Sequence, residues 1–325
     1  MPHTSDNLAV PIIVGPTAVG KSEVALEVAE RLGAEIVSAD SRQVYRYMDI
    51  GTAKPSIEDR RRVPHHMIDL VDPDVVYNAG DYGRGAAAAI EQVRAAGRVP
   101  LVVGGSGLYI RALLEGFCAG PRGDIELRER LRQEARTGGT QRLHERLAEV
   151  DAGAAVRINP NDEQRIIRAL EVYELTGRRL SDLQQAGGEV QGLIAVTVGL
   201  RRERSDLYRV IAERVEAMVC HGLVDEVRGL LDRGYRPDLN SMRALGYREM
   251  IRHLTGELTL EEAAKLLIKN TKALSRRQMT WFRAMSDVEW IDIEREEDLS
   301  SRADRVVASF ESRGFHPAGG PDKFA

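Results

Sequence analysis

Cysteine is nearly absent. The 325-residue chain has two, Cys118 and Cys220, far apart and without metal-ligand spacing. That excludes a cysteine metal site and points to a reducing cytosol. Long apolar runs are also missing. None approaches the roughly 18 residues of a membrane span, so no membrane contact of that kind is expected. The N-terminus lacks a basic stretch followed by an apolar one, which predicts no signal peptide and a cytoplasmic protein. There is no internal repeat and no low-complexity tract. The Asn-Lys-x-Asp pattern of a guanine-reading switch is missing; Asn270-Thr271-Lys272 does not fit it. Excess positive charge is lacking as well: a net charge of −4 argues against a general nucleic-acid coat protein.

What is present is a soluble globular composition, 43% hydrophobic and 30% charged, long enough for a sizeable core and about two domains. The charge is unevenly placed. Residues 241–283 hold nine Lys/Arg against four Glu, a local +5, and residues 284–325 hold five against ten, a local −5. The basic segment suits a polyanion site or a solvated helix face.

The stretch Gly15-Pro16-Thr17-Ala18-Val19-Gly20-Lys21-Ser22 matches G-x-x-x-x-G-K-[ST], the phosphate-cradling P-loop. Its glycines let successive N–H groups point at phosphate oxygens. Lys21 adds a point charge, and Ser22 a hydroxyl for Mg²⁺. The context fits: Val10–Val14 reads as a buried strand, and Lys21–Leu32 as a helix stopped by Gly33. The loop fixes a di- or triphosphate as the ligand class and leaves open a kinase, an ATPase, a GTPase or a prenyl diphosphate enzyme.

Further strands are predicted at Glu35–Ala39, Val99–Val103, Gly192–Leu200 and Val288–Ile293, and a helix over Asp81–Ala96. This alternation predicts an α/β fold, a P-loop NTPase-like parallel sheet flanked by helices, with ligands at the carboxyl ends of its strands. After a break at Pro121-Arg122-Gly123, Asp124–Leu183 is helical in pattern, and Gly187-Gly188 breaks the chain again. The expected organisation is a core of residues 1–119 and 191–313, an all-helical insertion domain at 120–190, and a flexible tail at 314–325. Helices are also predicted at Arg204–Leu231, Leu239–Leu254 and Leu260–Met285.

Several residues carry two readings each. Asp40, at a strand end, is a metal ligand or general base, or an Asx cap on the following turn. Thr52 and Lys54 touch phosphates or turn the chain. Pro64-His65-His66 hints at a metal, but neighbouring strand side chains point to opposite faces, which disfavours zinc. Gly104-Gly105-Ser106-Gly107 allows close approach of a substrate or makes a tight turn. Arg276 to Arg283 interleaves bases with Trp281 and Phe282, for stacking or for core packing.

The chain resembles the tRNA dimethylallyltransferases of bacterial type, isopentenyltransferases that prenylate an adenosine beside the anticodon. The resemblance rests on residues 15–22, Asp-Ser-Arg-Gln-Val-Tyr (40–45), Met-Asp-Ile-Gly-Thr-Ala-Lys-Pro (48–55), Pro-His-His (64–66), Val-Gly-Gly-Ser-Gly-Leu-Tyr (103–109), residues 161–172, Arg-Ala-Leu-Gly-Tyr-Arg (243–248) and Arg-Arg-Gln-Met-Thr-Trp-Phe-Arg (276–283), in order over most of the chain. It implies transfer of a dimethylallyl group from dimethylallyl diphosphate to adenine N6, with release of diphosphate. Asp40 matches the family's base, Thr17 a residue near the bridging oxygen, and Arg214 a diphosphate ligand beside Lys21. Mg²⁺ on Ser22 is the implied cofactor. Matches to tRNA-contacting positions are Asp40, Ser41, Arg42, Gln43, Ser106, Arg128, Gln164, Arg165, Ile166, Ile167, Arg168, Arg243, Ala244, Leu245, Gly246, Tyr247 and Arg248. The implied partners are the tRNA anticodon stem-loop and dimethylallyl diphosphate, with the protein as a monomer. Ser106 stands where many relatives carry Thr, which keeps the hydroxyl. A small-molecule P-loop kinase expects a short lid instead of a ~70-residue insertion. An isopentenyltransferase acting on free AMP or ADP has little need of the insertion or of the basic C-terminal helix.

Overall fold

A computed structural model describes residues 9–116, 123–185 and 193–316. The expected breaks at Pro121-Arg122 and Gly187-Gly188, Cys118, and residues 317–325 of the expected tail lie outside them. The chain forms two compact units, Met1–Leu114 with Gln191–Ala325, and Glu115–Val190.

The first unit begins β1 (Ala9–Val14), α1 (Lys21–Leu32), β2 (Ala34–Ser38), α2 (Ile57–Arg62), β3 (His65–His66), α3 (Ala79–Ala95), β4 (Val99–Gly104) and α4 (Gly107–Glu115). The second unit holds α5 (Ile125–Gly138), α6 (Thr140–Val150), α7 (Ala152–Arg157), α8 (Glu163–Thr176) and α9 (Leu180–Gln185). The first then resumes with β5 (Ile194–Arg201), α10 (Arg204–Cys220), α11 (Leu223–Asp232), α12 (Tyr247–Leu254), α13 (Leu260–Arg283), β6 (Val288–Asp292) and α14 (Leu299–Ser312). None of the described helices is long and apolar enough to cross a membrane.

The described strands form one six-stranded parallel sheet in the order β3-β2-β4-β1-β5-β6. The apolar runs arise because both faces of the sheet are covered. Along β1, Val10, Ile12 and Val14 pack into one core with residues of α3 and α10–α13. Ile13 faces the other way, into a core with α1 and α14. That alternation is the two-residue period of a strand.

Register decides where the loops emerge. Val14 pairs with Gly104 and with Gly199, and Ser38 pairs with Val103. The segments after β1, β2, β4 and β5 therefore leave the same edge of the sheet, the edge where parallel α/β sheets bind ligands. Gly104 is required by contact: a Cβ there would meet the Ala39 carbonyl oxygen at 2.2 Å.

The structure corrects three expectations. β3 adds a strand, because two residues paired with Ile36 and Val37 are too short to show a period. The long helix expected over 204–231 is two helices, broken at His221-Gly222. Of the helix expected over 239–254, only Tyr247–Leu254 forms.

The helical unit has its own core, including Leu131, Leu143, Leu147, Ile166, Ile167 and Leu170. Inside it Glu171 is fully buried and meets Arg128 Nε at 2.7 Å, Arg168 Nη1 at 2.5 Å and the Asp124 N–H at 2.8 Å. Partners of this kind replace the hydration that a carboxylate this deep has lost.

Candidate active site

The P-loop curls between β1 and α1. Gly15 takes φ +151°, and a Cβ there would meet the Leu200 carbonyl oxygen of β5 at 2.6 Å. Ala18 takes φ +65°, a conformation uncommon outside glycine that concentrates at functional sites. α1 starts at Gly20 with no side-chain cap, which leaves its first N–H groups to a ligand. Lys21 Nζ donates to the Pro16 carbonyl at 2.8 Å, arching over the loop. Burial pulls the Lys21 ammonium from 10.5 down to about 8; Asp40 and Glu23 oppose that and Arg214 adds to it. Arg214, on α10, donates to Thr17 Oγ1 at 3.5 Å, and burial lowers its pKa against Glu23 and Asp40.

Asp40 makes the Asx turn of its second reading. Its Oδ1 accepts the Arg42 N–H at 2.8 Å, an Asx turn that aims the carboxyl group. The same side chain lines two cavities. The first, of about 760 Å³, is bordered by Gly20, Lys21, Ser22, Glu23, Arg202 and Glu213. The second, of about 540 Å³, is bordered by Arg42, Ser106, Arg243, Arg248, Arg277 and Trp281. Thr17, Asp40, Thr52, Gly105, Arg214 and Gln278 line both. The P-loop cavity and the basic cavity thus share a wall made of one carboxylate, two hydroxyls, an amide and a guanidinium.

A magnesium ion has only part of a shell here. Among the described residues no group of three or more His, Cys, Asp or Glu clusters in metal-binding geometry. Ser22 offers a hydroxyl at the first turn of α1, with Glu23 beside it on the same cavity. That set fits a magnesium taking most of its ligands from phosphate oxygens and water.

The other expected site residues divide. Ser106 Oγ accepts the Ser41 N–H at 3.0 Å, tying the loop after β4 to the one after β2. Arg42 donates to the Asn240 carbonyl at 3.0 Å. Arg243 and Arg248 are exposed; Leu245 is half-buried, and Ala244, Gly246 and Tyr247 are buried. Tyr247 spends its hydroxyl on Glu226 at 2.6 Å. Gln43 is buried, bonded to Ser38 and to the Thr52 and Ala53 carbonyls, so its amide is engaged within the fold. In the helical unit Gln164 and Arg165 are exposed, Arg168 and Arg128 pair with Glu171, and the Ile166 and Ile167 side chains are core. Lys54 borders the first cavity, and its buried ammonium bonds to Tyr45 O at 2.8 Å, Asp49 at 2.6 Å and Asp69 at 2.7 Å. His66 pairs with Glu35 at 2.6 Å. Phe282 is core, while Trp281 is 36% exposed at the second cavity.

Two residues escaped sequence reasoning. Gln278, on α13, accepts the Thr17 N–H at 2.9 Å and donates to the Gly105 carbonyl at 2.9 Å, bridging the P-loop and the loop after β4. Its interleaved basic and aromatic setting was the one available signal. Glu226, on α11, accepts the N–H groups of Asp49, Ile50 and Gly51 at 2.9, 2.7 and 3.1 Å. Nothing local to it in sequence marks that role.

Comparison with known proteins agrees with this architecture. A family model described as IPP transferase matches residues 43–285, and one described as isopentenyl transferase matches residues 8–69. The chain is 49% identical to tRNA dimethylallyltransferase 2 of Geotalea uraniireducens, over 94% of this chain and 98% of that one. A crystal structure of tRNA isopentenylpyrophosphate transferase from Bacillus halodurans is 39% identical, with a TM-score of 0.68 over 94% of this chain and 98% of that chain. A eukaryotic dimethylallyltransferase acting on tRNA, 22% identical, shares the fold at a TM-score of 0.79 over 96% of this chain and 81% of that one. The chain belongs to the IPP transferase family, among the tRNA dimethylallyltransferases.

Proposed function

We propose that this enzyme transfers the dimethylallyl group of dimethylallyl diphosphate to N6 of the adenosine 3′-adjacent to the anticodon in tRNA, releasing diphosphate. The observation that carries the reading is the shared wall: Thr17, Asp40 and Arg214 line both the phosphate chamber and the basic chamber. A donor in the first and a base in the second would meet at those side chains.

The P-loop amides and Lys21 hold the diphosphate, and Arg214, next to Thr17, faces the oxygen that leaves. As the allylic C–O bond breaks, the electron pair goes to the diphosphate, whose growing charge these preorganised groups stabilise. Adenine N6 is a poor nucleophile because its lone pair is delocalised into the ring. Asp40 takes the N6 proton as the N–C bond forms. The Asx turn keeps that carboxylate oriented. Ser22 would hold a magnesium ion, which would supply further positive charge against the departing diphosphate.

The acceptor side suits RNA. Exposed Arg243, Arg248 and Arg277 with Trp281 combine phosphate contacts with a stacking platform. Extracting the adenosine costs roughly a few kcal/mol, least where the base is already single-stranded, as in an anticodon loop. Gln164, Arg165 and Arg168 of the helical unit are further candidate tRNA contacts. The enzyme acts in the cytoplasm as a monomer on this reading.

The test is incubation with labelled dimethylallyl diphosphate, Mg²⁺ and unmodified tRNA, with free AMP and ATP as controls. Label is expected in tRNA, on the anticodon-adjacent adenosine. Label in AMP and none in tRNA would overturn the reading.

A further inference from the structure

The second cavity holds a hydroxyl that the proposed reaction does not use. Tyr109, on the first turn of α4, lines that cavity and not the first. Its ring stacks on the fully buried ring of Tyr82, with centroids 4.1 Å apart and planes 15° from parallel. The residue is thus clamped, and only 5% of it is exposed. No hydrogen bond reaches its hydroxyl from any described residue. The Tyr82 hydroxyl is sealed in the core without a partner; that of Tyr109 is not sealed. A tyrosine this deep ordinarily gives its O–H a partner, so an open, unpaired one at a cavity marks a place for a ligand acceptor.

Ser106 holds Tyr109 in register with Asp40. It donates its N–H to the Ala39 carbonyl at 3.1 Å and accepts the Ser41 N–H on Oγ at 3.0 Å, gripping the chain on both sides of Asp40. Its own carbonyl accepts the Tyr109 N–H at 2.9 Å. Burial raises the phenol's pKa, Tyr45, Tyr77 and Asp40 raise it further, and Arg42 opposes them, so the group stays a donor at working pH. Trp281, on the same cavity, packs against the start of α4: a Cβ on Gly107 would lie 2.1 Å from its ring. A stacking surface, a carboxylate acceptor and a phenol donor therefore border one space.

Adenine presents the matching edge. Its N6 amino group donates hydrogen bonds, and the ring nitrogens that flank it, N1 and N7, accept them. A carboxylate takes an N6–H while a phenol serves one flanking nitrogen. Guanine puts O6 where that amino group would be, and a carboxylate repels it. We propose that the Tyr109 hydroxyl donates to N1 or N7 of the target adenine, so that Tyr109 and Asp40 together select the base and hold N6 in place for transfer. The inference rests on the tRNA reading of the second cavity.

The experiment is single-turnover prenyl transfer to tRNA assembled with adenosine, 1-deazaadenosine or 7-deazaadenosine at the target position. It uses the full chain and Tyr109→Phe, which keeps the stack on Tyr82 and removes only the hydroxyl. On adenosine the variant should be about tenfold slower, with the thermal midpoint and diphosphate affinity unchanged. In the unchanged chain one of the two analogues should lose rate, and in the variant that loss should shrink about tenfold, because the bond is already gone. The affected analogue identifies the nitrogen. Losses that multiply independently for both analogues overturn the proposal, and so does a variant as fast as the unchanged chain on adenosine. A variant that loses thermal stability in step with rate places the hydroxyl in the fold and overturns it too. An unchanged chain that tolerates both analogues overturns it whether or not the variant folds. Transfer to tRNA without these effects defeats only this inference; no transfer to tRNA at all defeats the functional reading as well.

Discussion

Lys21 gives the active site an alkaline limit that can be measured. Its ammonium drops from 10.5 to about 8 because folding removes it from water faster than Asp40 and Glu23 compensate. At about 1.36 kcal/mol per unit, holding that charge costs on the order of 3 kcal/mol in the free enzyme below pH 8. Between about pH 8 and 10.5 the unfolded chain binds the proton and the native one does not, so this group makes stability rise with pH across that window. Diphosphate binding has the opposite dependence, because the anion selects the protonated lysine. Affinity for dimethylallyl diphosphate should therefore hold up to about pH 8 and then fall about tenfold per unit. The assay is kcat/KM for the prenyl donor from about pH 6.5 to about pH 9.5, paired with direct diphosphate binding, on the unchanged enzyme and Lys21→Arg. The arginine variant, charged throughout, should bind less well but lose the limb near 8. A limb with the same midpoint in Lys21→Arg, or a flat profile in the unchanged enzyme, would refute the reasoning.

Other perturbations separate chemistry from scaffolding. Asp40→Asn should lower turnover by about 10²–10⁴ while diphosphate affinity stays, as read by single-turnover kinetics and calorimetry; unaltered turnover would remove Asp40 as the base. Gln278→Leu leaves the Thr17 N–H and the Gly105 carbonyl without their partner and should cost about 1–3 kcal/mol, read as a kcat loss larger than the KM change; an equal loss in thermal stability with intact kcat would make it purely structural. Arg243→Ala should weaken tRNA binding and reduce its salt slope by about 1, measured by filter binding across salt concentrations; an unchanged slope would mean no phosphate contact there. Glu171→Gln removes the countercharge of Arg128 and Arg168, and should destabilise the helical unit by about 2–3 kcal/mol in thermal unfolding, less than for a pair buried on both sides.

The sheet was legible because its physics is local. An apolar run of five residues bounded by glycine or a charged residue is what a strand covered on both faces looks like, and Val10–Val14 and Val99–Val103 are of that kind. The P-loop was legible because a phosphate cradle needs fixed residue types at fixed spacing. Asp40 was half-legible: its two readings were set against each other, yet the Asx turn does not compete with a place on the cavities, since the same side chain makes the turn and lines both of them. Gln278 was out of reach. It meets Thr17 across 261 residues of sequence, and no local pattern encodes a partner that distant.

The block at residues 48–55 is the most distinctive stretch of the resemblance, yet most of its polar groups face inward. Lys54 is fully buried among Tyr45, Asp49 and Asp69. Thr52 Oγ1 bonds to the Met48 carbonyl at 2.7 Å. Glu226 takes three consecutive backbone N–H groups from the block and the Tyr247 hydroxyl as well. Tyr247 packs so closely on Gly51 that a Cβ there would lie 2.5 Å from its ring. One half-buried carboxylate therefore couples the wall shared by the two cavities to the segment bearing Arg243 and Arg248. Such a knot tolerates few substitutions, because each leaves a buried partner unpaired. The distinctive sequence of the block thus goes largely into positioning Thr52, which lines both cavities, and the segment bearing the two arginines.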